Sequence, residues 1–245
     1  MPIGHAFVEL ESVDSTNNYA MAMATAGQAN HGTIFFAHHQ WAGKGQRGRT
    51  WNSTPGENII LSAVLEPVAL PVSRAFELSA AVALACDDFF SRHADEGSTR
   101  IKWPNDLYWN DRKAGGVLID NHLRGDSWVV AVVGIGININ QTVFPAALRR
   151  PVSLRQITGR TYDPVGLARE LAGCLDRRYT ALGSDGPAVI SDYNARLYGL
   201  GRKVRLRKGN TVFDTVVTGV SPDGRLLTRD TLDRSFSFGE VEWII

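Results

Sequence analysis

Thr33-Ile34-Phe35-Phe36-Ala37-His38 runs through Gln40 straight into Gly43-Lys44-Gly45-Gln46-Arg47-Gly48-Arg49. An apolar, aromatic stretch that ends in a glycine-rich loop predicts a strand whose tip offers its backbone to a ligand. The loop holds three glycines and three cations in seven residues, and no acid. Cations interleaved with accessible amide N–H groups form an anion trap. Read functionally, the loop asks for a phosphate or carboxylate; read blandly, it is a solvated surface loop.

Outward from this point the pattern is mixed. Asp14-Ser15-Thr16 opens an Ala/Met-rich helix that stops at Gly27. Asn58 to Leu65 reads as a strand, and the apolar positions from Val72 to His93 as one long, mostly buried helix. Arg100–Trp103 is a short strand ended by Pro104. Asp106–Trp109 and Gly116–Asp120 flank Asn110-Asp111 as a hairpin. Trp128–Val133 and Ile135–Asn140 are strands around Gly134 and Gly136, followed by helices near Pro164–Leu182 and Pro187–Leu197. Long helices among hairpin-linked strands predict an α+β fold with a mixed, mainly antiparallel sheet. Near Gly199 the chain changes to short strands with tight turns, so residues 1–198 and 199–245 are expected as a main domain and a small barrel-like module.

Composition narrows the function classes. The 245 residues are 44% hydrophobic and 21% charged, with net charge +1 from 26 basic and 25 acidic residues. Bulk electrostatic attachment to nucleic acid or membrane is not expected, so any phosphate affinity must be local. Cys86 and Cys174 lie in apolar helical patterns and read as buried thiols, and no Cys/His spacing suggests zinc. Neither a signal-like N-terminus nor a membrane-length apolar run is evident, which predicts a cytoplasmic protein.

Five segments carry chemistry: Asp14-Ser15-Thr16-Asn17, Gln40 through Arg49, Lys102-Trp103-Pro104-Asn105-Asp106, Lys113-Ala114-Gly115-Gly116, and Gly134-Ile135-Gly136-Ile137-Asn138-Ile139-Asn140. Their order and spacing resemble the catalytic domain of biotin protein ligases, from about Asp14 to Asn140. The Lys-Trp-Pro-Asn-Asp segment is the most specific. The resemblance implies a class II synthetase-like catalytic domain with a small C-terminal SH3-like β-barrel. It further implies a two-step reaction. Biotin and ATP, the latter carried with Mg2+, give biotinyl-5′-adenylate and pyrophosphate. A lysine of a biotin carboxyl carrier domain then attacks the mixed anhydride and releases AMP.

Joining a carboxylate to a polyanion requires cations that neutralise both. Lys44, Arg47 and Arg49 suit that need, and a loop that closes over the adenylate would keep water from it. By resemblance Lys113 holds oxygens of the biotin carboxylate and the α-phosphate; its bland alternative is a hairpin ion pair with Asp111. Asp106 would orient or deprotonate the incoming amine, or meet magnesium through phosphate oxygens, or merely cap a turn. Ser15, Thr16 and Gln40 match the positions that read the ureido head, although Ser15 and Thr16 equally suit helix capping. Trp103, Gly116, Leu118 and Gly136 would wall the apolar part, with Gly43 and Lys44 also at biotin. The nucleotide set implied is Lys44, Gln46, Arg47, Arg49, Trp51, Asn105, Lys113 and Asn138, the last at the adenine edge. No protein side chain is expected to ligate a metal directly.

Two departures shape the expectation. Lys44 and Gln46 stand where many relatives carry arginine, which predicts weaker retention of the adenylate. The first catalytic segment begins at Asp14, which predicts a monofunctional ligase with no DNA-binding module. A homodimer is compatible with the sequence. The rival readings are a lipoate-type ligase on the same fold and a non-catalytic biotin or adenylate sensor.

Overall fold

A computed structural model of the chain describes residues 1–67, 70–95, 97–125 and 127–244. The elements are β1 (Ala6–Val13), α1 (Thr16–Thr25), β2 (Thr33–Gln40), β3 (Ile59–Leu65), α2 (Ala75–Phe90), β4 (Thr99–Lys102), β5 (Asp106–Trp109), β6 (Arg112–Arg124) and β7 (Ser127–Ile137). They continue with α3 (Leu154–Thr158), α4 (Pro164–Ser184), α5 (Gly186–Ala195), β8 (Lys203–Lys208), β9 (Thr211–Val220), β10 (Leu226–Arg229), β11 (Asp233–Phe236) and β12 (Glu242–Trp243).

β1 to β7 form one sheet in the order β1-β2-β3-β7-β6-β5-β4. Only β1 and β2 run parallel; every other neighbouring pair is antiparallel. The parallel pair follows from α1, because a strand that re-enters alongside its predecessor needs a crossover. The sheet's two faces are unequal. One carries Phe36, Leu61, Val133, Ile135, Ile137 and Ile101 against α2 and α4 in the main apolar core. The other packs Phe35, Val64, Val130 and Val132 under α1. Beyond α1 that face is left open, and the site lies there.

Several expectations need adjustment. The two strands foreseen around Gly134 and Gly136 are one continuous strand, β7, because both glycines pair in register with Leu118 and Gly116 of β6. The long apolar stretch from Val72 begins with a tight helical turn at Val72–Arg74 before α2. β1 was not foreseen: it is an edge strand, half-exposed, and lacks a clean apolar alternation. The capping box at Ser153 and Gln156 that starts α3 was also missed.

β8 to β12 make a second, five-stranded antiparallel sheet, ordered β11-β10-β9-β8-β12. It docks through α5: Asn194 donates to the Val220 carbonyl at 3.0 Å and accepts from its amide at 2.6 Å. The neighbouring Tyr193, fully buried, donates to the Pro104 carbonyl at 2.9 Å. One helix thus ties the second sheet to the turn that carries Asp106.

Candidate functional site

The floor of the site is a line of glycines. Gly116 faces Gly136 across β6 and β7, and Gly134 lies two residues further along. A Cβ on Gly136 would collide with the Trp51 ring, and one on Gly134 with the Asn17 amide. A Cβ on Gly116 would stand 3.2 Å from an Asp106 carboxylate oxygen and 3.4 Å from Lys113 Nζ. Glycine at Gly134 and Gly136 lets the Asn17 and Trp51 side chains approach the sheet itself.

At one end stands a buried polar network. Gln40 Oε1 accepts from the Thr16 amide at 2.6 Å and from its hydroxyl at 3.0 Å. Ser62 Oγ lies 2.8 Å from Thr16 Oγ1 and 2.6 Å from Asn17 Oδ1. Asn17 donates onward to Asp120 at 2.9 Å and to the Leu118 carbonyl at 3.3 Å. Such a chain fixes donor and acceptor directions before a ligand arrives. Ser15 is buried at the start of α1, yet its side chain makes no capping bond among the described residues. Ser62 and Asp120 were not singled out in the sequence. Each sits mid-strand, and only the register β3-β7-β6 brings them to Asn17.

The glycine-rich loop folds back on itself. Gly45 donates to the Arg49 carbonyl at 2.7 Å and Trp51 to that of Gly43 at 2.9 Å, with a tight turn at Gln46–Gly48. Arg47 occupies the left-handed region at φ 56°, rare for a residue with a side chain. With Leu118 and Asp120 the loop encloses an open cleft of about 480 Å³. Its cations diverge. Lys44 reaches Asn18 Oδ1, which belongs to a helix residue bonded in turn to Asp14 at 2.5 Å. Arg47 donates to the Gly239 carbonyl at 3.3 Å, its guanidinium 6.0 Å from the Phe238 ring. Arg49 is exposed beside the cleft. Gln46 donates to the Val117 carbonyl at 3.4 Å, while its Oε1 and the Trp51 Nε1 are buried with no partner among the described residues.

At the other end Lys113 Nζ pairs with Asp106 Oδ1 at 2.5 Å. The hairpin ion pair with Asp111 is not formed: Asp111 accepts from the Tyr198 hydroxyl at 2.7 Å. A register shift between Leu107 and Tyr108 brings Lys113 opposite Tyr108 and swings its ammonium to Asp106. Asn105 donates to the Val117 carbonyl, holding the turn against β6. Asn138 spends its amide on the Val152 carbonyl at 3.0 Å and on the Lys113 carbonyl at 3.4 Å. Trp103, next to a cis proline peptide bond, is buried and turned toward the second sheet. Its Nε1 donates to the Gly224 carbonyl at 2.9 Å, and Phe238 stacks edge-on at 6.1 Å.

Lys102 was quoted in the sequence without a role. Its ammonium lies 3.2 Å from the Tyr108 hydroxyl and 5.7 Å from the Trp243 ring. Burial pulls its pKa down to about 8, against the upward pull of Asp106. Burial also raises the Tyr108 hydroxyl, with Asp106 adding to the effect.

Fold and groove together define an α+β protein with a cleft rimmed by Lys44, Arg47 and Arg49 on one face of a mixed sheet. Comparison with known proteins narrows this. Residues 9–138 match the model of the biotin/lipoate A/B protein ligase family. The chain is 30% identical to the biotin--[acetyl-CoA-carboxylase] ligase of Paracoccus denitrificans, over 92% of this chain and 95% of that one. It is also 30% identical to the bifunctional ligase/repressor BirA of Bacillus spizizenii, over 96% of this chain and 73% of that one. Its fold superposes on the Aquifex aeolicus biotin protein ligase solved with biotin and ATP, with a TM-score of 0.82, 24% identity, and 98% and 99% of the two chains covered. The chain belongs to the biotin/lipoate A/B protein ligase family.

Proposed function

We propose that this protein is a biotin protein ligase that activates biotin with ATP and transfers it to a lysine of a biotin carboxyl carrier domain. The observation that carries the reading is the Lys113–Asp106 pair beside Gly116, with the Trp51 ring, just past the glycine-rich loop, seated against Gly136 of the same sheet. The ureido head would meet the Thr16–Gln40 network with Ser15, Gly43 and Lys44, and the apolar part would lie on Gly116 and Gly136, with Trp103 supporting the turn from the second-sheet side rather than touching it. The carboxylate then points toward Lys113. ATP would be taken by Lys44, Gln46, Arg47, Arg49, Trp51, Asn105, Lys113 and Asn138, with Mg2+ arriving on the nucleotide.

The paired state of Lys113 suggests the order of events. In the first step its ammonium turns to the carboxylate and α-phosphate oxygens and neutralises their repulsion as the carboxylate attacks phosphorus. That leaves the Asp106 carboxylate free. In the second step Asp106 orients the carrier amine and accepts a proton from it, because only a neutral amine attacks. Residues 1–198 would then be the catalytic domain and 199–245 the small β module, acting in the cytoplasm on a carboxylase carrier, with a homodimer compatible. No helix among the described residues is long and apolar enough to cross a membrane.

Transfer of labelled biotin to a purified carrier domain, with lipoate in parallel, tests this reading. Label on the carrier lysine from biotin and ATP alone supports it. Label from lipoate instead would move the assignment to the lipoate side of the family, and binding of biotin without transfer would make the protein a sensor.

A further inference from the structure

A segment outside every chemistry-bearing motif runs beside Lys113. The Lys113 amide donates to the Arg150 carbonyl at 2.8 Å, and the Val152 amide to the Lys113 carbonyl at 2.9 Å. Asn138 clamps the same segment from the far side, through the Val152 carbonyl at 3.0 Å, and the Leu154 amide returns to the Asn138 carbonyl at 3.1 Å. Two exposed arginines, Arg149 and Arg150, are therefore carried to the edge of the site by backbone pairing rather than by their own contacts. Arg150 adopts a left-handed φ of 47°, a conformation that costs energy for a residue with a side chain and that gathers at functional sites.

The charge at this spot is lopsided. Lys102 lies within electrostatic reach of Lys113, Arg49 and Arg149, with Asp106 as the opposing charge. Tyr108 lies within reach of Arg150 and Arg49, and Tyr198 of Arg150 and Asp111. Lys113, Arg49, Arg149, Arg150 and Arg202 thus gather with Lys102 around Tyr108 and Tyr198, where Asp106 and Asp111 are the acids within the same reach, in a chain whose net charge is +1. A cation excess of this size in one place calls for a polyanion. The loop cations Lys44 and Arg47 are engaged elsewhere, with Asn18 and Gly239.

We infer that Arg149 and Arg150 form a second phosphate grip, on the Lys113 side of the groove, that holds the β- and γ-phosphates of the nucleotide. The inference rests on the adenylating reading above. In that reaction a biotin carboxylate oxygen bonds to the α-phosphorus, the bridging bond to the β-phosphate breaks, and its electron pair leaves with pyrophosphate. Charge grows on the leaving group, where guanidinium forks are the best receivers.

The test replaces both residues, Arg149→Gln with Arg150→Gln, in the full chain, beside an Arg149→Lys, Arg150→Lys control. Calorimetric titration with inorganic tripolyphosphate reads the grip without biotin or adenine, so it answers even if the acid substrate is misassigned. The Gln pair should weaken tripolyphosphate binding at least about tenfold and raise the KM for ATP by a similar factor. Biotin affinity and the melting temperature should stay as in the unsubstituted protein, and the Lys pair should recover most of the loss. Unchanged tripolyphosphate binding in a folded Gln variant overturns the inference. So does a loss of biotin binding equal to the loss of tripolyphosphate, which would mark a structural role.

Discussion

On the proposed reading, four side chains each carry a separate part of the chemistry. Lys113 is paired with Asp106 and is proposed to turn to the incoming anions, so Lys113→Gln should lower adenylate formation by about 10²–10³ in kcat while biotin still binds. Asp106→Asn should separate the two half-reactions. Adenylate formation should survive within about tenfold, and transfer to the carrier should fall by about 10² or more, in stopped-flow measurements of each step. Equal losses in both steps would remove the proton-accepting role. Gln46 donates to the Val117 carbonyl on β6, and its buried Oε1 has no partner among the described residues. An arginine there would add a charge-assisted bond of ~1.5–3 kcal/mol, so Gln46→Arg should slow adenylate release by about tenfold or more. Equal release from both proteins would contradict this. Lys102, held near pKa 8 by burial, loses charge as pH rises through that value. It belongs to the inferred cation cluster beside Lys113 and Arg149, so its contribution to tripolyphosphate binding should fade between pH 7 and 9, and this part of the pH profile should vanish in Lys102→Gln.

At the scale of elements, β6 and β7 make the floor and α1 the end wall. Gly136→Ala would push a methyl into the Trp51 ring, and overpacking of this kind costs ~1–3 kcal/mol. Biotin affinity measured by calorimetry should drop by about tenfold, with the fold intact by circular dichroism. The sequence carried much of this architecture. Local signals marked the hairpin at Asn110-Asp111, the α1 start and the glycine-rich loop, because turn and cap chemistry acts over a few residues. Ser62, Asp120 and Arg149 stayed hidden because each becomes relevant only through pairing with a distant strand or segment. The orientation of Trp103, toward Gly224 and Phe238 of the second sheet, lay beyond any local pattern for the same reason. β1 escaped because an exposed edge strand needs no apolar alternation.

At the scale of the whole molecule, the site is held from behind by charge. Arg196 contacts Asp87 at 3.1 Å and Asp88 at 2.5 Å, and Arg178 pairs with Asp88 and Asp192. The Arg196 carbonyl also accepts from Ile101, and Tyr198 donates back to Ile101, so the same segment covers the open edge of β4. Burial pushes the Asp87 carboxyl up against the pull of Arg196. Asp88 is penalised by burial too, yet bonds from Arg178 and Arg196 leave it below its ordinary value. The two therefore act oppositely with pH. The stability that Asp88 contributes is present above its unfolded pKa and is lost as acid brings the pH down through its folded pKa. Asp87 favours the folded state while protonated, and that preference is lost as pH rises through its raised value. Removing Arg196 leaves Asp87 buried without its partner, so Arg196→Gln should cost ~3 kcal/mol at pH 7. The deficit in melting temperature should shrink on acidification, as the raised Asp87 carboxyl takes up a proton. A deficit that grows on acidification would contradict this account. All these contacts serve a groove proposed to activate biotin with ATP. Biotin-dependent exchange of labelled pyrophosphate into ATP, run with lipoate and with no acid as controls, tests it most directly. Exchange with biotin alone, abolished in Lys113→Gln, is the predicted result; no biotin-dependent exchange from folded protein that binds both substrates would contradict it.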